Sequence, residues 1–430
     1  MKIGDKIIID INKFAYLGYG LAKKDGLTIF IPGGIPGDSV EGTITSLKKT
    51  YAFLKIDNII SPSPMRIKPE CPVFNKCGGC DHLNLTYEKQ VFFKEAILKE
   101  KIFRSFQEKP RFYPMEVSES REYRNKVELK YESSSNEIGF YSKRTNSIAQ
   151  LPSGKDFCLI QPMQNQKIID FTLEMMKESA KRKLKKLIIR NSFSTKENMI
   201  VAIGDFEFDE NPFLFDDEKI KELGIVSINF VDRKNRLHNV FGNNYITEKV
   251  KEFEYKISPL VFFQTNTLIF EKMLNTLEQL LHITKDDIAL DLYSGLGSFS
   301  LLLAKNAGKV YAIESNDNAV LLAKENAYEN GIDNITFFTG KIRNRIKKII
   351  LEKTPSIALI DPPRKGMHYK AMEGLLEISP ESIVYISCHL PSFIRDAQKL
   401  VENGYRFLAI YPFDMFPNTF YVEVMGYFTK

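Results

Sequence analysis

The sequence predicts an α/β protein: a small all-β unit first, an α+β middle, and a doubly wound, mainly parallel sheet at the C-terminal end. Three observations predict it. From about residue 285 onward, short buried β-branched runs alternate with amphipathic helical stretches. The turn Asp291-Leu292-Tyr293-Ser294-Gly295-Leu296-Gly297 follows the first of those runs and opens a helix. Residues 1–60 instead carry short runs such as Ile7-Ile8-Ile9 and Thr28-Ile29-Phe30-Ile31, broken by glycine turns.

Taken in chain order, the first unit adds the strand-like run Val40-Glu41-Gly42-Thr43-Ile44. Its turn Pro32-Gly33-Gly34-Ile35-Pro36-Gly37-Asp38 is rich in residues that tolerate positive φ or fix φ. Ser61-Pro62-Ser63-Pro64 reads as a linker. A helical pattern runs from about Tyr87 to Phe106, with apolar positions at Val91, Phe92, Ala96, Ile97 and Phe103. From about 112 to 255 the chain looks α+β, with strand-like runs at Leu187-Ile188-Ile189 and Met199-Ile200-Val201-Ala202-Ile203. The expected domains are therefore 1–60, 61–255 and 256–430. In the last, strands are expected at 288–292, 310–313, 335–338, 357–360, 383–386, 406–412 and 420–428. That order matches the seven-stranded methyltransferase variant of the doubly wound fold.

A length of 430 residues suggests two or three domains, and 43% hydrophobic with 27% charged residues fits an ordinary soluble globular protein. Apolar runs such as Leu301-Leu302-Leu303-Ala304 are far too short to span a bilayer. The start, Met1-Lys2-Ile3-Gly4-Asp5, lacks a signal peptide's apolar core, so a cytoplasmic location without membrane contact is expected. No segment calls for an obligate protein partner. Residues 1–190 hold 33 Lys+Arg against 22 Asp+Glu, and the rest hold 27 against 32. A basic front ahead of a mildly acidic back suggests a polyanion-binding part and a chemical part. The run Lys181-Arg182-Lys183-Leu184-Lys185-Lys186 is either an RNA contact or a solvated face.

The glycine turn lets backbone approach a ligand closely, with Gly295 at its centre. Glu314 ends the next strand, 23 residues after Asp291, the right spacing for a carboxylate that accepts both ribose hydroxyls. A lone glycine pair is weak evidence, because G-x-G-x-x-G is incomplete here. With Asp361-Pro362-Pro363-Arg364 further on, the set points to S-adenosylmethionine. Gln264, in Phe262-Phe263-Gln264-Thr265-Asn266, either caps that ligand or belongs to a plain core element.

The five cysteines are Cys71, Cys77, Cys80, Cys158 and Cys388, and an odd count argues against a disulfide framework. Cys71-x5-Cys77-x2-Cys80 places three thiols within ten residues, with Gly78 and Gly79 easing a tight wrap. Cys158 would supply a fourth, and four thiolates hold either a 4Fe–4S cluster or a zinc ion. Zinc sites more often use two short-spaced couples, so iron–sulfur is preferred. The Cys-x3-Cys-x2-Cys pattern of radical enzymes is absent, which favours a structural cluster.

Cys388 is left over. It ends the apolar run Tyr385-Ile386-Ser387-Cys388, and Glu423 closes the segment that starts at Asp414. A thiol, a carboxylate and a methyl donor suit methylation of uracil carbon 5. That carbon is too weak a nucleophile until a thiolate adds to carbon 6, and a base must afterwards remove the carbon 5 proton. Pro391 suggests a helix start whose N-terminus would favour the thiolate. Asp361 would hydrogen-bond the uracil edge, and the target base would be flipped out of its stack.

These residues resemble bacterial TRAM-containing, iron–sulfur RNA uracil-5-methyltransferases, which modify 23S ribosomal RNA. The resemblance runs nearly end to end. Gly18-Tyr19-Gly20-Leu21-Ala22 and Phe30-Ile31-Pro32-Gly33-Gly34-Ile35-Pro36-Gly37-Asp38 look like the TRAM domain, an OB-like RNA-binding β-barrel. It implies that Cys71, Cys77, Cys80 and Cys158 ligate the cluster, with Arg124-Asn125-Lys126 as a basic motif. It further implies that Gln264, Tyr293, Glu314 and Asp361 hold cofactor and substrate, Cys388 is the nucleophile and Glu423 the base. A helix at about 83–111 would pack on the catalytic domain. Three departures stand out: Ser387-Cys388-His389-Leu390 where Ser-Cys-Asn-Pro is usual, Pro417-Asn418-Thr419-Phe420-Tyr421-Val422-Glu423 where Pro-His-Thr-x-His-Val-Glu is usual, and Ser294 where cysteine is common.

Four rival readings make different demands. Transfer RNA could be the substrate in place of ribosomal RNA. A cytosine-5 enzyme would want a second cysteine after Asp-Pro-Pro, where Arg364 stands. An amino-group methyltransferase would need no thiol. An RNA-binding or assembly protein on a decayed catalytic fold would form no thiol adduct with 5-fluorouridine RNA.

Overall fold

A computed structural model describes residues 1–16, 18–143, 145–152, 157–349 and 354–430. Its first sheet has six strands in the order Lys6–Asp10, Ser39–Leu47, Tyr51–Ser61, Leu27–Ile31, Gly20–Lys24, Lys13–Phe14. Alternating apolar residues give it an inner face of Ile29, Ile31, Val40, Ile44, Ala52 and Leu54. Between its two end strands, Ile11 exchanges backbone bonds with Gly37 (2.8 Å) and Asp38 (2.9 Å), while Asn12 bonds Leu21 (3.1 Å). Those bonds curl the sheet on itself. The expected linker is no loose tether: Ser63 is buried and its N–H donates to Asp38 Oδ1 at 2.8 Å.

The middle of the chain forms a seven-stranded sheet in the order Ile148–Gln150, Glu137–Tyr141, Lys126–Glu132, Leu184–Asn191, Asn198–Gly204, Ile225–Val231, Leu237–Gly242. The basic run leads into the central strand Leu184–Asn191, with its charge largely matched. Lys183 pairs with Glu210 (2.7 Å), Lys185 with Asp205 (2.6 Å) and Lys186 with Glu128 (2.8 Å).

The last sheet runs Ile335–Thr339, Lys309–Glu314, Ile288–Leu292, Ile357–Ile360, Ser382–Ser387, Glu423–Thr429, Arg406–Phe413, Arg111–Phe112. The first five strands are parallel and Glu423–Thr429 runs antiparallel between its neighbours. Buried on both faces, the parallel strands read as continuous apolar runs rather than alternating ones. Seven strands were legible from the pattern. The eighth, Arg111–Phe112, is two residues long and arrives from far upstream, so no local periodicity announces it.

Helix Tyr87–Ser105 leaves the cysteine segment and crosses to this last sheet. Its Leu98 and Ile102, with Phe106 just after it, join one core with Leu390, Phe393, Val424 and Phe428. At its other end Phe93 packs on Phe14 of the first sheet, ring centroids 4.8 Å apart. One helix thereby fixes the N-terminal sheet against the C-terminal one. Among the described residues no helix is long and apolar enough to cross a membrane.

Candidate active site

The parallel strands end at one edge, and the candidate residues gather there, as ligands do in open α/β sheets. After Ile288–Leu292, the chain turns through three left-handed residues: Tyr293 (φ 68°), Gly295 (57°) and Gly297 (87°). Gly295 faces open space, and its N–H donates to Glu314 Oε2 at 3.1 Å. Glu314 Oε1 accepts Asn316 N–H at 2.8 Å, so this carboxylate is fixed at its strand end before any ligand arrives. Beneath the turn Asp291 is fully buried, its carboxyl pushed up to about 7 by loss of solvent. Among the described residues, four buried side-chain polar atoms lack a partner, and two belong here: Asp291 Oδ1 and Ser294 Oγ. Buried polar atoms are rarely left orphaned, so a polar ligand beside this turn is chemically fitting.

Gln264 lies across from this turn, with its Nε2 3.4 Å from Asp361 Oδ2. Its segment is held from the middle of the chain, because Asn125 Nδ2 donates to Gln264 O (2.8 Å) and Thr267 Oγ1 (3.0 Å). The middle residue of the expected basic motif is thus a buried clamp.

Strand pairing brings the thiol and the carboxylate together. Ser387 opposes Val424 in the antiparallel register, and Cys388 and Glu423 are the next residues on either side, near enough for the Glu423 charge to act on the thiol. Asp361 follows the neighbouring strand Ile357–Ile360. Burial pushes Asp361 up to about 7, and burial with the nearby Asp361 charge pushes Glu423 well above the usual carboxylate range. Cys388 is pushed up to about 12, first by burial and then by Glu423 and Asp361, with Arg364 opposing. The resting thiol is therefore neutral at pH 7.

Around the thiol stand residues to which motif reading gave no role. The Arg364 guanidinium lies over the Tyr421 ring, 4.7 Å from its centroid. His389, one of the departures, caps helix Leu390–Glu402: its side chain accepts the Ser392 N–H. Tyr16 of the first sheet reaches the same place, and its hydroxyl accepts Leu390 N–H at 3.1 Å. Gly18 makes that approach possible. It has φ +71°, and a Cβ there would sit 2.5 Å from His82 Nε2 and 2.9 Å from Phe420 Cβ. No local signal could have linked Tyr16 to a helix in the last domain.

The loop between Arg406–Phe413 and Glu423–Thr429 is gripped from outside the catalytic sheet. Lys94 Nζ donates to Asp414 Oδ1 (2.7 Å) and Phe416 O (3.2 Å), and Tyr87 Oη donates to Asp414 Oδ2 (3.0 Å). Asn418, another departure, takes a left-handed φ of 66°, which Asn tolerates better than most residues. Its N–H donates to Gln90 Oε1 (3.0 Å), and its carbonyl accepts Asp81 N–H (2.8 Å) and His82 N–H (3.1 Å).

Cys71, Cys77, Cys80 and Cys158 line one separate apolar cavity with Phe74, Phe140 and Ile160, and none is in a disulfide. Among the described residues, however, no three His, Cys, Asp or Glu side chains form a group that could hold a metal ion. The expected ligand set therefore shares a cavity without closing on a single ion. Burial is the largest influence on Cys77, Cys80 and Cys158, pushing Cys158 up to about 11. Arg124 bridges this cavity and the catalytic loop: it faces Cys80 and Cys158, and its guanidinium lies 5.8 Å from the Phe416 ring centroid.

The sheet and this edge define the class, a methyltransferase that uses S-adenosylmethionine. Residues 86–430 match the family model of tRNA (uracil-5-)-methyltransferases. An RNA methyltransferase of Clostridium tetani, described as uncharacterized, is 33% identical over 95% of this chain and 93% of its own. Another from Caldanaerobacter subterraneus is 30% identical over 98% of both chains. The solved tRNA (uracil-54, C5)-methyltransferase of Pyrococcus abyssi, in complex with S-adenosyl-L-homocysteine, is 25% identical over 98% of this chain and 99% of that one, with a TM-score of 0.76. The chain belongs to the S-adenosylmethionine-dependent RNA (uracil-5-)-methyltransferase family.

Proposed function

We propose that the enzyme methylates carbon 5 of one specific uridine through a covalent bond between Cys388 and uracil carbon 6. The observation that supports this reading is the Ser387–Val424 pairing, next to which the Glu423 and Asp361 charges both act on the Cys388 thiol. The Cys388 sulfur loses its proton to solvent water as it adds to carbon 6, and the electron pair moves to carbon 5 and the carbon 4 oxygen. Carbon 5 takes the donor methyl and leaves S-adenosylhomocysteine. Glu423 removes the carbon 5 proton, the carbon 5–carbon 6 double bond re-forms, and the thiolate leaves. Asp361, its carboxyl pushed up to about 7 by burial, would hold the uracil edge by donating in its protonated form to a ring carbonyl. Tyr293, Gly295, Glu314 and Gln264 hold the donor, with Glu314 on the ribose hydroxyls and Asp291 toward the methionine ammonium.

RNA would lie in the groove where the first sheet meets the cysteine segment and the middle domain, beside Lys55, Lys68, Arg124 and Lys143. The proposed substrate is 23S ribosomal RNA, from the resemblance of the barrel and cysteine pattern. Transfer RNA is the second reading, favoured by the likeness to the Pyrococcus abyssi enzyme. The protein is proposed to work in the cytoplasm.

A 4Fe–4S cluster is proposed at Cys71, Cys77, Cys80 and Cys158. These four residues line one apolar cavity and would hold the cluster through their thiolates, joining the cysteine segment to residue 158. Its role is structural: it would tie the segment that hydrogen-bonds Asn418.

The test is mass mapping of 5-methyluridine in ribosomal and transfer RNA from cells with and without the gene. One such mark should vanish on deletion and return with the wild type but not with Cys388→Ser. Unchanged marks in both RNAs would end the uridine reading, and full rescue by Cys388→Ser would end the covalent one.

A further inference from the structure

Beside Cys388 lies an open pocket that the reaction scheme does not use. Its walls come from three places in the chain. The first sheet gives Tyr16, the Asp-Pro-Pro turn gives Arg364 and Lys365, and the start of helix Leu390–Glu402 with the catalytic loop gives His389, Arg395 and Tyr421. Among the described residues no carboxylate lines it. The nearby Asp396 is matched by Arg395, whose Nε donates to Asp396 Oδ1 at 2.8 Å, so Arg364 and Lys365 supply the net positive charge. The backbone there is set: Ser392 Oγ donates to Arg364 O at 2.9 Å. The helix N-terminus is not the attraction, because Leu390 N–H is taken by Tyr16 and Ser392 N–H by His389.

The charges and rings are arranged as a platform. Arg364 already stacks on Tyr421, and Phe420 packs on Tyr421 with centroids 4.5 Å apart. Tyr16 lines the same pocket and is anchored twice, by its hydrogen bond to Leu390 and by packing on the core that holds Leu390 and Phe393. Cations for a phosphodiester next to flat rings for a base are the chemistry of single-stranded RNA recognition. A flipped uridine leaves its chain neighbours unstacked at the mouth, with one phosphate within reach.

We propose that this pocket is a subsite for the ribonucleotide next to the target uridine, with its phosphate on Arg364 and Lys365 and its base between Tyr421 and Tyr16. The N-terminal sheet is then part of the substrate site rather than a remote RNA tether. This rests on the reading of Cys388 as the uridine-binding centre.

The experiment uses the full-length enzyme and a single-stranded RNA of about ten nucleotides around the uridine mapped in cells. Each phosphate flanking that uridine is replaced in turn by an uncharged methylphosphonate. For the wild type, one replacement should raise KM roughly tenfold and lower the slope of log KM against log salt by about one, with kcat the lesser effect. Lys365→Ala should raise KM on unmodified RNA and lose part of the sensitivity to that one replacement, the rest being carried by Arg364. Tyr16→Ala should raise KM more than Tyr16→Phe, which keeps the ring. Equal sensitivity of wild type and Lys365→Ala to both replacements would overturn the subsite. A wild type that forms no adduct with the 5-fluorouridine version of this RNA would instead overturn the reading of Cys388.

Discussion

Lys94 and Asp414 form an ion pair at 2.7 Å with side chains only 4% and 0% exposed, although 320 positions separate them. The pair ties helix Tyr87–Ser105 to the loop that leads into Glu423. Burial pushes the Lys94 ammonium down, and Asp414 opposes it. Removing one partner of such a pair leaves an uncompensated buried charge. Lys94→Met is expected to cost about 3–5 kcal/mol, and adding Asp414→Asn should recover part of it. Urea denaturation of the single and double variants measures both. A Lys94→Met midpoint equal to the wild type would show that the pair does not hold the loop.

Glu423→Gln should keep the thiol and methyl donor but lose the proton acceptor. Reaction would then stop after methyl transfer, and a methylated protein–RNA adduct should build up on ordinary RNA, visible by denaturing gel and mass spectrometry. The raised Glu423 pKa gives the pH signature. The carboxyl must lose its proton before it can accept one, so adduct breakdown in the wild type should accelerate as pH rises through that pKa. In Glu423→Gln the acceleration should be missing. Free turnover without adduct would remove Glu423 from this role.

Burial pushes the Asp291 and Asp361 carboxyls up to about 7 in the fold, from 3.8 for an unburied carboxyl. Between about pH 4 and about pH 7 the folded state keeps protons that the unfolded chain has released. Their contribution to stability is therefore highest below that window and is lost as pH rises through it. Asp291→Asn removes the ionisation. Relative to the wild type it should gain a few kcal/mol at pH 8 and little at pH 4. Denaturation midpoints at the two pH values decide it, and a pH-independent difference would contradict the sign.

Anaerobically purified protein should carry about four iron and four sulfide per chain and a broad visible absorbance. Cys80→Ser should lose both and lower Tm, because the segment bonded to Asn418 would lose its tie. Stoichiometric zinc without sulfide would replace the cluster with a single ion.

The fold class was readable because its signals are local. A parallel strand buried on both faces writes itself as a run of apolar residues, and a left-handed turn writes itself as glycine. Ile288–Leu292, its glycine turn and Glu314 all fall within one βαβ stretch, so period and spacing sufficed. Cys388 stood out because it is the cysteine that the cluster pattern leaves over. The strand Arg111–Phe112 was invisible, since two residues carry no periodicity.

Sequence by itself determined the chemistry available: a thiol, carboxylates at strand ends, and a nucleoside-binding edge. Tertiary structure alone decided how they are held. Tyr16 beside Leu390, Lys94 on Asp414, Asn125 under Gln264 and the Asp81–Asn418 bond each join residues more than 130 positions apart. Such partners share no helix or strand, so no repeat along the chain couples them. They meet because folding buries polar groups that must find partners wherever packing brings them.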